Sequence, residues 1–151
     1  MTTQRHASSI VVVLGALATI ATSRAPTAEV QGTFERTLAA SEAVHVTFHA
    51  SAPAMDHVRS LGGTVRLVAQ TSTLGFSVVP DGTAPAIPVA SGGAGTALID
   101  IADCPATGAC DVGMTLDGPA SGTAAVRIFL RLDVGAQDRF PDGATVVAAE
   151  D

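Results

Sequence analysis

The sequence predicts an all-β fold: a two-sheet antiparallel sandwich of jelly-roll or immunoglobulin-like type, with one short crossover helix, after an N-terminal signal peptide. Three observations carry that prediction. Two long stretches alternate apolar and polar residues, Asp-Gly pairs punctuate the apolar runs, and a short apolar segment lies close to the start.

The first 23 residues have the three parts that an export machinery and its peptidase require. Arg5 sits in a short polar start, residues 10–21 are apolar, and Ala21-Thr22-Ser23 places small side chains at both recognition positions. Cleavage is expected after Ser23, with the bond after Ala21 as the alternative. A membrane-spanning helix needs about 20 apolar residues, and this run is broken by Thr22, Ser23, Arg24 and Pro26. The expected organisation is a signal peptide over 1–23, a flexible lead over 24–30 and a single β-sandwich domain over 31–151.

Composition narrows the function classes. Without Arg5, 7 Arg stand against 14 Asp and Glu, a net charge of −7 with His neutral. Phosphate backbones and anionic membrane surfaces need clustered cations, so the expected partners include no nucleic acid and no membrane after signal cleavage. The chain has no Lys, Asn, Trp or Tyr, a bias that fits a GC-rich bacterial genome. Stacking platforms for sugars or bases are usually built from Trp and Tyr, which leaves five Phe to substitute.

Strand by strand, the clearest pattern is residues 43–50, where Val44, Val46 and Phe48 share one face and His45, Thr47 and His49 the other. Residues 123–134 follow the same rule: Val126, Ile128, Leu130, Leu132 and Val134 alternate with Arg127, Phe129, Arg131 and Asp133. Both read as half-buried antiparallel strands. Weaker strands are expected at 32–38, 64–70, 74–79, 86–90, 96–101, 111–116 and 144–148. Asp81-Gly82, Asp117-Gly118 and Asp142-Gly143 supply tight turns, because Gly accepts positive φ without a steric penalty.

Residues 51–63 depart from this rhythm. Met55, Val58 and Leu61 fall three apart, Pro53 suits a first turn and Gly62-Gly63 a stop, so a short helix is expected to cross the end of a sheet. Pro85 and Pro88 make their run an edge strand, since proline cannot donate to a ladder. The glycines of 91–95 form a plain connection, as a phosphate loop would need a Lys.

Cys104 and Cys110 close a short Cys-Pro-Ala-Thr-Gly-Ala-Cys loop and are expected to form a disulfide in an oxidising compartment. A loop this short is worth about 2 kcal/mol. Redox pairs favour Cys-x-x-Cys spacing, and no His follows Cys110 to complete a zinc site.

Candidate chemistry is sparse. Beyond residue 23 the histidines are His45, His49 and His57, and no Gly-x-Ser-x-Gly elbow accompanies them, so the domain is expected to be non-catalytic. A copper or zinc site would draw on these histidines with Met55, but residues four apart in a strand lie about 13 Å apart. Calcium would draw on Asp100, Asp103 and Asp111 around the disulfide loop, or on Asp133, Asp138 and Asp142; the alternative reading is turn-forming Asp. Phe129 framed by Arg127 and Arg131 on a polar strand face has the composition of an interaction patch, which Arg66 would extend if its strand lies alongside.

The expectation is a non-catalytic, secreted or periplasmic β-sandwich, an interaction or structural module with a protein or surface partner and no cofactor. The alternatives are a metal-dependent exported protein, calcium ahead of copper or zinc, and a small-ligand or carbohydrate-binding module.

Overall fold

A computed structural model of the chain describes residues 28–82, 85–99, 101–135 and 139–151. The expected signal peptide, residues 24–27, Asp100 and Asp138 lie outside the described residues. Within them run β1 (Ala28–Leu38), β2 (Ala43–Ala50), α1 (Ala52–Leu61), β3 (Thr64–Thr71), β4 (Phe76–Pro80), β5 (Ile87–Val89), β6 (Ala94–Ile99), a 3-10 turn (Ile101–Asp103), β7 (Cys110–Asp117), β8 (Ala124–Val134) and β9 (Val146–Glu150).

The strands form two antiparallel sheets, in the orders β1-β8-β3-β6 and β5-β4-β7-β2-β9. The pairing is nested: β1 with β8, β2 with β7, β3 with β6 and β4 with β5. A long ribbon hairpin whose tip lies between β4 and β5 has rolled up, so that β8 also joins β3 and β7 also joins β4. That is a jelly roll, with β9 added beside β2. It settles the choice of sandwich left open by the sequence.

Period-two patterning produces the core. On β8 the side chains of Ala124, Val126, Ile128, Leu130, Leu132 and Val134 are buried, and on β2 those of Val44, Val46, Phe48 and Ala50. These inner faces pack against each other with Leu67, Val78, Met114 and Leu116, the alternation required of two sheets stacked face to face.

The two sides of the roll differ. On one, β1 and β9 run close together: a Cβ at Gly32 would lie 2.6 Å from the Val146 carbonyl oxygen. Arg36 joins them by ion pairs to Glu150 and, at 2.5 Å, to Glu42. On the other side, between β6 and the tip, the sheets part.

Helix α1 covers one end. Ser51 caps it: its hydroxyl oxygen accepts from the Ala54 N–H at 3.4 Å and the Thr145 N–H at 2.9 Å. The end of α1 is set by Gly62, left-handed at φ 62°. Ala54, Met55 and Val58 form the buried stripe. Leu61, expected in it, is instead 43% exposed, because the chain has already turned toward β3.

The Cys104–Cys110 disulfide is formed, with Cα atoms 5.4 Å apart. Its loop is docked on α1 through one residue: the Gly108 N–H donates to Asp56 at 3.0 Å, and the Gly108 carbonyl accepts from Arg59 at 2.9 Å.

Three local expectations need correction. β1 begins at Ala28, inside the segment read as a lead, because Ala28, Glu29 and Val30 pair with Val134, Asp133 and Leu132. β6 begins at Ala94, inside the glycine-rich connection, because Gly95 pairs with Ala69. Asp117-Gly118 closes no hairpin but carries the chain from one sheet to the other, with the Gly118 N–H donating to the Glu42 carbonyl at 2.7 Å.

Candidate functional site

The parted side of the roll holds a cleft of about 560 Å³. It exists because β4 stops early. Pro80 faces Met114, the Asp81 N–H still reaches the Gly113 carbonyl at 3.0 Å, and then the chain leaves for the tip. β7 therefore runs on over its first residues, 110–112, with no strand beside it on that side among the described residues. Side chains of Leu67, Ile87, Ile99, Val112 and Met114 line the opening, and the disulfide forms part of its wall. Leu98, at the rim of this cleft on edge strand β6, pairs with Arg66 and so faces outward, 74% exposed.

Three acidic residues line the same cleft, and the carboxylates of Asp81 and Asp111 turn to the outer face of the second sheet. Asp81 comes from the end of β4, Asp103 from the 3-10 turn and Asp111 from β7. The sequence groups Asp103 and Asp111 with Asp100 around the disulfide; Asp81 reads there only as a turn former. A usable signal was Gly113, a glycine inside a strand, which often marks close approach by another group. A Cβ there would collide with the Asp81 carboxylate.

Histidines engage two of these acids. His45 bridges two carboxylates, donating from Nδ1 to Asp151 at 2.8 Å and from Nε2 to Asp81 at 3.0 Å. The Thr47 hydroxyl also donates to Asp151, at 2.6 Å. His49 Nδ1 meets Asp111 at 2.6 Å. Hydrogen bonds to Asp151 and then to Asp81 raise the His45 pKa above its usual value, since both favour the imidazolium. Asp151 is held below the usual carboxylate range, first by the Thr47 hydroxyl and then by His45.

The sign of the His45 effect follows directly. A raised folded pKa contributes stability that is fully present below the unfolded value of about 6.5 and is lost as pH rises through the folded value. Melting temperature measured against pH should fall across that window in the parent relative to His45→Gln. Parallel curves would show that the bridge contributes nothing.

The copper or zinc set is not brought together. His45 and His49 hold separate acids, Met55 is fully buried on α1, and the His57 ring packs against Phe140 with centroids 5.2 Å apart. Among the described residues, no group of three metal-binding side chains is placed to hold an ion; Asp103 and Asp111 line one cleft without converging on a point.

The structure does gather Arg127, Phe129 and Arg131, on the outer face of the first sheet. Phe129 lies between Thr33 and Val68, half-buried, with Arg127 over its ring at 5.7 Å. Arg66 faces Arg131 directly across β3 and β8. The arginines are partly neutralised: Arg127 pairs with Glu35 at 3.2 Å, and Arg131 with Glu29 and Asp133, each at 2.9 Å. A wider and more open depression of about 740 Å³ adjoins this face, lined by Arg36, Gln70, Ser72 and Arg127.

No protein-family model, curated protein or solved structure matches the chain. Among the described residues, no helix is long and apolar enough to cross a membrane.

Proposed function

We propose that the chain is an exported, non-catalytic binding module whose working site is the cleft between β6, the β4–β5 tip and the open end of β7. The observation that carries this reading is the cleft itself. Its size falls in the range of small-molecule sites, and it combines an aliphatic lining with a few polar groups at its border.

Supporting the non-catalytic part, the candidate nucleophiles have other partners. Thr47 donates to a carboxylate and not to an imidazole, Ser51 caps α1 and contacts Gly143, and the cysteines are joined. A hydroxyl is activated by a base that accepts its proton, usually His oriented by a third group. Export rests on the signal-peptide pattern of 1–23, and the disulfide fits an oxidising compartment.

A protein partner on the outer face of the first sheet is the second reading, favoured by Phe129 and its flanking arginines. Thermal-shift screening of the purified protein with amines, carboxylic acids, sugars and alcohols separates the two. The first reading expects stabilisation that disappears in Ile99→Trp, which narrows the cleft from a partly buried, inward-facing position at the end of edge strand β6, and persists in Phe129→Ala. No stabilising compound, or stabilisation indifferent to Ile99→Trp, would overturn it.

A further inference from the structure

We infer that the cleft is gated by pH: the imidazolium of His45 pins the cleft rim at residues 80–82, and loss of one N–H proton releases that rim and weakens binding. This rests on the cleft being a binding site and adds its regulation.

The gate joins the outer face of the second sheet to the cleft within. On the outer face, His45 Nε2 meets the Asp81 carboxylate at 3.0 Å. The same residue lines the cleft with its neighbours Pro80 and Gly82, at the point where β4 leaves β7. Two contacts hold it there: its N–H donates to the Gly113 carbonyl at 3.0 Å, and its carboxylate accepts from His45. The absence of a side chain at Gly113 gives the carboxylate its seat, since a Cβ would collide with it.

Proton count turns this arrangement into a switch. Both ring nitrogens of His45 face carboxylates, Nδ1 toward Asp151 at 2.8 Å and Nε2 toward Asp81. Only the imidazolium has an N–H for each; the neutral ring has one N–H and one lone pair, and a lone pair repels a carboxylate. Asp151 has further ties, from the Thr47 hydroxyl at 2.6 Å and from its own N–H to the His45 carbonyl at 3.0 Å, so it cannot retreat from Nδ1. The Asp81 carboxylate is exposed and, among the described residues, has His45 as its side-chain donor. The last proton therefore stays on Nδ1, and Asp81 is the carboxylate released.

The other groups on this face set the midpoint without reversing the direction. β7 presents Gly113 and Thr115 to the ring, with Asp117 one step further, opposite Ala43. On β2 itself Thr47 is adjacent, and His49 beyond it is engaged with Asp111. The raised pKa of His45 fits two carboxylates at its nitrogens. Linkage is reciprocal: a molecule held in the cleft favours the pinned rim and so the imidazolium.

Hexanol is the probe, because it is neutral at every pH used and matches the lining of Ile87, Ile99, Val112 and Met114. Calorimetric titration of the purified protein should give a Kd about threefold lower at about pH 5.5 than at about pH 8.5. His45→Gln should bind hexanol with one Kd at both. In NMR spectra of the unliganded parent, the Ile87 and Met114 methyl signals should follow the His45 ring along one pH curve, and should lose that step in His45→Gln. An equal Kd at both pH values in the parent, or methyl signals indifferent to the His45 titration, would overturn the gate and leave the cleft as a site. A pH dependence that survives His45→Gln would overturn the assignment to His45. Absence of hexanol binding at either pH would overturn the binding-module reading and the gate with it.

Discussion

Phe48→Ala should cost about 3–5 kcal/mol of folding stability. Phe48 points inward from β2, has no exposed surface and ranks among the largest fully buried side chains. Its strand is central in the five-stranded sheet, with β7 on one side and β9 on the other, so little can collapse into the space left behind. A domain of this size has a total stability of about 5–15 kcal/mol, and such a loss leaves it marginal. Urea unfolding measures the change. Phe129→Ala, half-buried on the opposite sheet's outer face, is the comparison and should cost about 1 kcal/mol. Equal losses would contradict the placement of the two rings.

The adjacent glycines after α1 should respond differently to alanine. Gly62 has φ 62° and no atom near the place a Cβ would occupy, so Gly62→Ala meets only the left-handed backbone penalty of about 1–2 kcal/mol. At Gly63 the obstacle is space: a Cβ would run into the Asp133 carbonyl oxygen and lie 3.1 Å from Val134 and 3.3 Å from Val58. That oxygen belongs to the backbone of β8 and cannot swing away. Gly63→Ala should therefore cost about 3 kcal/mol, more than its neighbour. Gly62→Asn should recover part of the first loss and Gly63→Asn none of the second, read as urea midpoints.

Much of this architecture was legible because it is local. The alternation in β2 and β8 follows from burying one face of a strand, and the proline pattern of α1 and β5 follows from fixed φ and a missing N–H. The order of strands was not legible, because it depends on contacts between distant segments: β1 meets β8, and residue 28 pairs with residue 134. For the same reason β1 and β6 begin earlier than the sequence predicts, at Ala28 and Ala94. Nothing near Ala28 or Ala94 announces a strand until its partner is known.

The candidate site divides along the same line. Asp103 and Asp111 flank one disulfide and are neighbours in the sequence itself. Asp81 joins them only because β4 ends against the middle of β7, a fact of register. The apolar lining was invisible for a further reason: Ile99 and Val112 sit in short runs that read as ordinary weak strands. Arg127, Phe129 and Arg131, by contrast, were legible as a group because one strand carries all three. The pairing of the two arginines with Glu35 and Glu29 required knowing that β1 lies beside β8.

The central claim is that the cleft is where this protein binds, and the most direct measurement is an amide-resolved NMR titration of the purified protein with the compound that stabilises it most in the thermal-shift screen. The expected footprint covers residues 98–99, 103 and 110–114, with Asp81 on the facing side, and leaves the outer strand face at residues 127–131 unmoved. A footprint centred on Arg127, Phe129 and Arg131, or no saturable shifts at all, would contradict it.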